Sequence, residues 1–90
     1  MTINSKYRQQ LKAQAHSLKP IVTIGNHGLT EAVQLEIERA LVDHELIKIR
    51  IQGNDRVLRR QMIDEICQTR QAELVQSIGH ICAIYRKNPD

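Results

Sequence analysis

Apolar positions change rhythm along this chain, from spacings of three and four residues to strict alternation and back. Tyr7, Leu11, Ala15 and Leu18 form the stripe of an amphipathic helix over residues 5–17. Ser5 is placed to cap it, and Lys6, Arg8 and Lys12 fall off the stripe, toward solvent or a ligand. Pro20 stops the helical pattern and turns Lys19 toward extended backbone. Ile21-Val22-Thr23-Ile24 reads as a short strand of mostly β-branched residues. A second helix is predicted over residues 29–44, with Thr30 as its cap and Val33, Ile37, Ala40, Leu41 and His44 as its inner stripe.

Leu46-Ile47-Lys48-Ile49-Arg50-Ile51 alternates, so Ile47, Ile49 and Ile51 point one way and Lys48 and Arg50 the other. Gly53-Asn54-Asp55 gives a turn and capping residues for a third helix over residues 56–69, with Leu58, Met62 and Ile66 inward. Residues 73–86 read as two strands about Gly79-His80, a glycine-led two-residue hairpin turn. Residues 87–90 are expected to fray.

The predicted order is α-β-α-β-α-β-β. The βαβαβ stretch implies a partly parallel sheet with right-handed crossovers, and the last hairpin adds an antiparallel edge. The expected architecture is an α/β two-layer open sandwich. Helices cover one sheet face, and the face bearing Lys48 and Arg50 is exposed.

Composition narrows the functional classes. A chain of 90 residues makes one domain, residues 1–90, with one modest core. Tyr7 and Tyr85 are the only aromatic residues, too few for a deep aromatic-lined substrate cavity. No apolar run has the length of a membrane span, and no apolar stretch backs the N-terminal charges as in a secretory leader. The expectation is a cytoplasmic monomer without a membrane partner. Cys67 and Cys82, 15 residues apart without a CxxC pairing, read as buried reduced thiols.

The net charge of +3 is mild, but its distribution is segregated. Residues 1–28 carry Lys6, Arg8, Lys12 and Lys19 and no acid. Residues 29–45 carry Glu31, Glu36, Glu38, Asp43 and Glu45 against Arg39, and residues 46–60 are basic again. One positive and one negative face follow, and a positive face suits phosphate-rich partners.

Gly25-Asn26-His27-Gly28 sits where a strand meets a helix. Glycines there permit positive φ and close approach of backbone to a ligand. The next helix offers free N–H groups and the positive end of its dipole. KH modules use the same Gly-x-x-Gly device to clamp a nucleotide backbone. A tight turn alone would also explain the string, but the strand, the helix and the acid-free segment with Lys19 strengthen the ligand reading.

The run from Leu18-Lys19-Pro20-Ile21-Val22-Thr23-Ile24 through Gly25-Asn26-His27-Gly28-Leu29-Thr30-Glu31 resembles the opening of the CRM domain, the chloroplast RNA splicing and ribosome maturation module. His44-Glu45-Leu46-Ile47-Lys48-Ile49-Arg50-Ile51 resembles its second strand, and Ile78-Gly79-His80 with Ile84-Tyr85-Arg86 its closing hairpin. A free-standing domain of this length is similar to the bacterial YhbY-like form. The resemblance implies helices packed on one side of a four-stranded mixed sheet, as in the C-terminal domain of translation initiation factor three. It also implies RNA binding, specifically to ribosomal RNA in precursors of the large (50S) subunit during assembly. The family's loop maps onto Gly25, Asn26, His27 and Gly28. Many members place Lys or Arg within it; here Asn26 and His27 stand instead, so charge is expected from Lys19, Lys12, Arg8 and Lys6, with Lys48 and Arg50 as further candidates.

Rival readings have less support. His16, His27, His44 and His80 fall in four elements without metal-ligand spacing, so no metal or other cofactor is expected. A nucleotide-binding enzyme would want a longer glycine loop and a closing domain; the expectation is a non-enzyme. An adaptor could dock a basic ribosomal protein through the acidic second helix. Arg56, Arg59 and Arg60 could meet RNA or pair internally with Asp55, Asp64 or Glu45.

Overall fold

The computed structural model describes residues 3–89. Along the chain run α1 (Ser5–His16), β1 (Val22–Ile24), α2 (Glu31–His44), β2 (Leu46–Ile51), α3 (Arg56–Arg70), β3 (Glu73–Ile78) and β4 (Ile81–Tyr85). This is the order that the periodicity predicts. Met1, Thr2 and Asp90, the last of these in the stretch expected to fray, lie outside the described residues.

The strands form one mixed sheet in the order β1-β2-β4-β3. β1 pairs parallel with β2, while β4 lies antiparallel to both β2 and β3. On one face Val22, Ile24, Ile47, Ile49, Ile51, Cys82 and Ile84 meet Ile37 and Leu41 of α2 and Ile63 and Ile66 of α3. These aliphatic side chains are almost fully removed from water. At about 1.5–3 kcal/mol each, their burial is the main term holding α2 and α3 to the sheet.

The layering differs from the expected open sandwich. α1 covers the other face, where Leu11 and Ala15 cluster with Leu46, Val75, Ala83 and Tyr85. Tyr7 sets its ring edge-on to Tyr85 at 5.5 Å between centroids and donates its hydroxyl hydrogen to the Tyr85 oxygen at 2.8 Å. Arg8 donates to the Leu74 carbonyl. The reason lies in β4. Its burial on both sides, from Cys82 to Tyr85, requires an apolar cover on each face. Alternation in β2 alone does not reveal that. Farther along this face Thr23, Arg50 and Ile78 are exposed, and Lys48 and Ile81 are half-buried.

Smaller corrections have similarly local causes. Asn4, not Ser5, caps α1, accepting from the Tyr7 amide at 2.7 Å. Leu18, beyond the helix end, is 39% exposed, and Leu58 is 49% exposed while Ile63 takes its inward place. The inner line of α3 therefore starts more than a turn later than the stripe suggests. His44 is exposed rather than in the core of α2.

The end of the chain is tied down rather than frayed at Asn88. Its amide donates to the Glu45 carboxylate at 2.8 Å, and its side chain donates to the Val42 carbonyl at 2.6 Å. Arg86 grips Glu38 with two nitrogens at 2.8 and 2.9 Å, and Arg70 adds a contact at 3.4 Å. Hydrogen bonds from the Arg86 guanidinium hold the Glu38 carboxyl below the usual carboxylate range, against a smaller opposing effect of burial.

Candidate nucleic-acid interface

Parallel pairing of β1 and β2 brings their C-terminal ends to one end of the sheet. Loop 25–30 leaves β1 there and enters α2; loop 52–55 leaves β2 there and enters α3. Because β4 runs opposite to β2, the Gly79-His80 turn reaches the same end. The three connections are bonded together. The Gln52 amide donates to the Ile24 carbonyl at 3.0 Å, and the Ile51 amide donates to the His80 carbonyl at 2.8 Å. The His80 Nδ1 also lies 2.9 Å from the Ile51 carbonyl. Two helix N-termini thus converge on one end of an open α/β sheet, the usual place for anionic ligands in this class.

Within the first loop, the Gly28 amide closes a turn onto the Gly25 carbonyl at 3.1 Å, and the Thr30 amide reaches the Gly28 carbonyl at 3.0 Å. Thr30 caps α2 by accepting from the Val33 amide at 3.2 Å. The amides of Asn26, His27 and Leu29 have no partner among the described residues. Asn26 and His27 are exposed. Gly28 has φ +70°, and a Cβ added there would meet nothing within 4 Å. A Cβ at Gly25 would stand 3.7 Å from the Gln52 Oε1, an ordinary contact. Gln52 is thus the neighbour of the loop that sequence reading did not single out; parallel pairing of two strands far apart in sequence brings it there.

The expected cations do not gather into one patch around this loop. Lys19 lies before the start of β1 and Gly25 after its end, so extended chain separates them by up to about 20 Å. α1 packs on the opposite half of the sheet, near Leu46 and Tyr85. Lys6 is exposed there, and Arg8 is half-buried and committed to the Leu74 carbonyl. Lys12, one turn after Arg8, shares its flank of α1. Lys48 and Arg50 do lie on the second face, Lys48 beside Ala83 and Arg50 between Thr23 and Ile81. Arg50 is exposed and one residue from the loop-bearing end.

The arginines at the start of α3 are partly engaged. Asp55 caps the helix through the Leu58 amide at 3.1 Å. Arg60 pairs with Asp64 at 3.2 Å on the surface, and Arg59 donates to the Gly53 carbonyl. Arg56 has no ion pair among the described residues. In α2, Glu38 is taken by Arg86 and Arg70, and just past its end Glu45 is taken by Asn88. That leaves Glu31, Glu36 and Asp43 exposed, a thinner acidic face than the sequence count suggests.

Burial pushes the Cys82 thiol up to about 12 and the Cys67 thiol up to about 11, so both stay protonated at neutral pH. Among the described residues, no group of three or more His, Cys, Asp and Glu could hold a metal ion. Among them, too, no helix is long and apolar enough to cross a membrane.

A model of the CRS1 / YhbY (CRM) domain matches residues 3–86. A Pseudomonas aeruginosa protein, named as a probable RNA-binding protein, is 45% identical over 89 residues, covering 99% of this chain and 86% of that one. An RNA-binding protein of Haemophilus influenzae is likewise 45% identical over 89 residues, covering 99% and 90%. The solution structure of a Staphylococcus aureus protein superposes with a TM-score of 0.86 at 29% identity, covering 99% of this chain and 93% of the other.

Proposed function

The chain belongs to the CRS1 / YhbY (CRM) domain family, and from that premise we propose that it is a non-enzymatic protein that binds RNA at the end of the sheet where Gly25–Gly28 opens. The names of its relatives support RNA as the ligand. The observation that carries the reading is the loop itself: an unobstructed left-handed glycine, unpartnered amides and the electropositive start of α2 at one point. The Gly25–Gly28 loop holds phosphates through the free backbone N–H groups of Asn26, His27 and Leu29, with Gly25 and Gly28 leaving the approach open. Arg50 and Lys48 continue the contact along the second sheet face, and Lys19, Lys12, Arg8 and Lys6 add longer-range attraction. The RNA is ribosomal RNA in precursors of the large subunit, as the family resemblance implies, and the protein acts as a cytoplasmic monomer.

Tyr7 and Tyr85 are packed against each other under α1, so they give no stacking platform of the RRM or OB type. Backbone and shape therefore matter more than base identity. If four or five phosphates are neutralised, affinity falls about a hundredfold between 50 and 200 mM salt. Gly28→Asp, which sets a carboxylate where phosphate is to sit, abolishes binding of a labelled single-stranded RNA while circular dichroism shows a folded chain. Unchanged affinity in that variant, or a flat salt response, would refute the reading.

A further inference from the structure

A second concavity opens at the same end of the sheet. It is a cleft of about 580 Å³ between the first two turns of α3 and the β3–β4 hairpin, within the size range of small-ligand sites. We infer that this cleft seats one unpaired nucleotide of the RNA strand whose backbone the glycine loop holds; the inference rests on the RNA-binding reading above.

Three observations carry it. The first is charge: Arg56, Arg59 and Arg60 line the cleft and no carboxylate does. Asp64 draws one of them, Arg60, along the outside of the helix, while Arg56 stays exposed without an ion pair among the described residues. The second is the lining chemistry. Ile51, Ile63 and Cys82 give an apolar floor for the face of a base, and arginine planes can stack on it from above where aromatic rings are lacking. Ser77 and Gln61 offer hydrogen-bonding groups at the rim. His80, its Nδ1 held against the Ile51 carbonyl, keeps its other ring nitrogen available. The third is position. β2 alone separates β1, which carries the glycine loop, from β4, which borders the cleft. Two strand spacings, about 10 Å, lie between them, so one strand can engage both.

A fully paired helix cannot insert a base into this cleft, whereas a bulge or single strand can. The test compares two labelled blunt-ended RNA duplexes, one fully paired and one with a single bulged nucleotide, by fluorescence anisotropy at one salt concentration. The wild-type protein is expected to prefer the bulged RNA about tenfold. Arg56→Gln removes the unpaired cation, and Ser77→Glu sets a competing carboxylate in the cleft. Both positions are exposed, so the fold is retained. Each variant should bring the preference close to one while binding of the fully paired duplex persists. Amide resonances of Ser77–Ile81 should shift with the bulged RNA and not with the paired one. Equal wild-type affinity for the two RNAs, or an undiminished preference in both variants, overturns the cleft assignment and leaves the glycine loop standing. Failure of the wild-type protein to bind either RNA removes both.

Discussion

Gly28 lets conformational need be separated from ligand need. Its φ of +70° lies in the left-handed region, and its missing Cβ faces open space. Alanine at this position meets no clash, so its cost is backbone strain alone, about 1–2 kcal/mol. For a domain of this size each 1 kcal/mol lowers Tm by about 4–8 °C. Asparagine tolerates the left-handed region better than alanine, so Gly28→Asn should melt between wild type and Gly28→Ala. RNA affinity should follow another order. Both variants put a side chain where phosphate is to approach, and both should lose about tenfold, or about 1.4 kcal/mol, with the larger asparagine losing at least as much as alanine. Thermal melts by circular dichroism and anisotropy titrations with labelled single-stranded RNA give the two scales. If affinity simply tracks stability, with Gly28→Asn binding nearly as wild type, the glycine serves the turn alone and the phosphate seat is misplaced.

Other expectations are independent of that one. Glu31, exposed in the first turn of α2, complements the helix dipole but repels phosphate at the same end. Glu31→Gln should cost about 0.3–1 kcal/mol of stability and tighten RNA binding about two- to fivefold at low salt; weaker binding would move the phosphates away from α2. Leu11 is fully buried on the second sheet face, so Leu11→Ala should cost about 2–5 kcal/mol in urea unfolding, and near-wild-type stability would detach α1 from the sheet. Arg86 lowers the pKa of Glu38 in the folded protein, so this contribution is complete above the ordinary carboxylate value of about 4 and is lost as pH falls through it and below. Wild type should therefore lose its stability advantage over Glu38→Gln on acidification below about pH 5. A pH-independent difference between the two would show that the ion pair does not form in solution.

The local rules of the chain were enough for its elements. Pro20, the Thr30 and Asp55 caps, the alternation of Leu46–Ile51 and the Gly79-His80 turn each act through neighbours a few residues away, and the seven elements appear in the expected order. The glycine loop was legible for the same reason, since a strand, two glycines and a helix start are contiguous. Pairing between distant segments was not legible. Whether α1 lay with the other helices or against them depended on β4 needing cover on both faces. That placement set Lys6 and Arg8 away from the loop with which they share an acid-free segment of the sequence. Glu38 found Arg86 across 48 residues, thinning an acidic face that composition had made look broad. The convergence of Gly25, Gln52 and His80 likewise exists only through strand register. Short-range sterics and hydrogen bonding decided what each segment became; burial of apolar surface between segments far apart in sequence decided which side chains share a face.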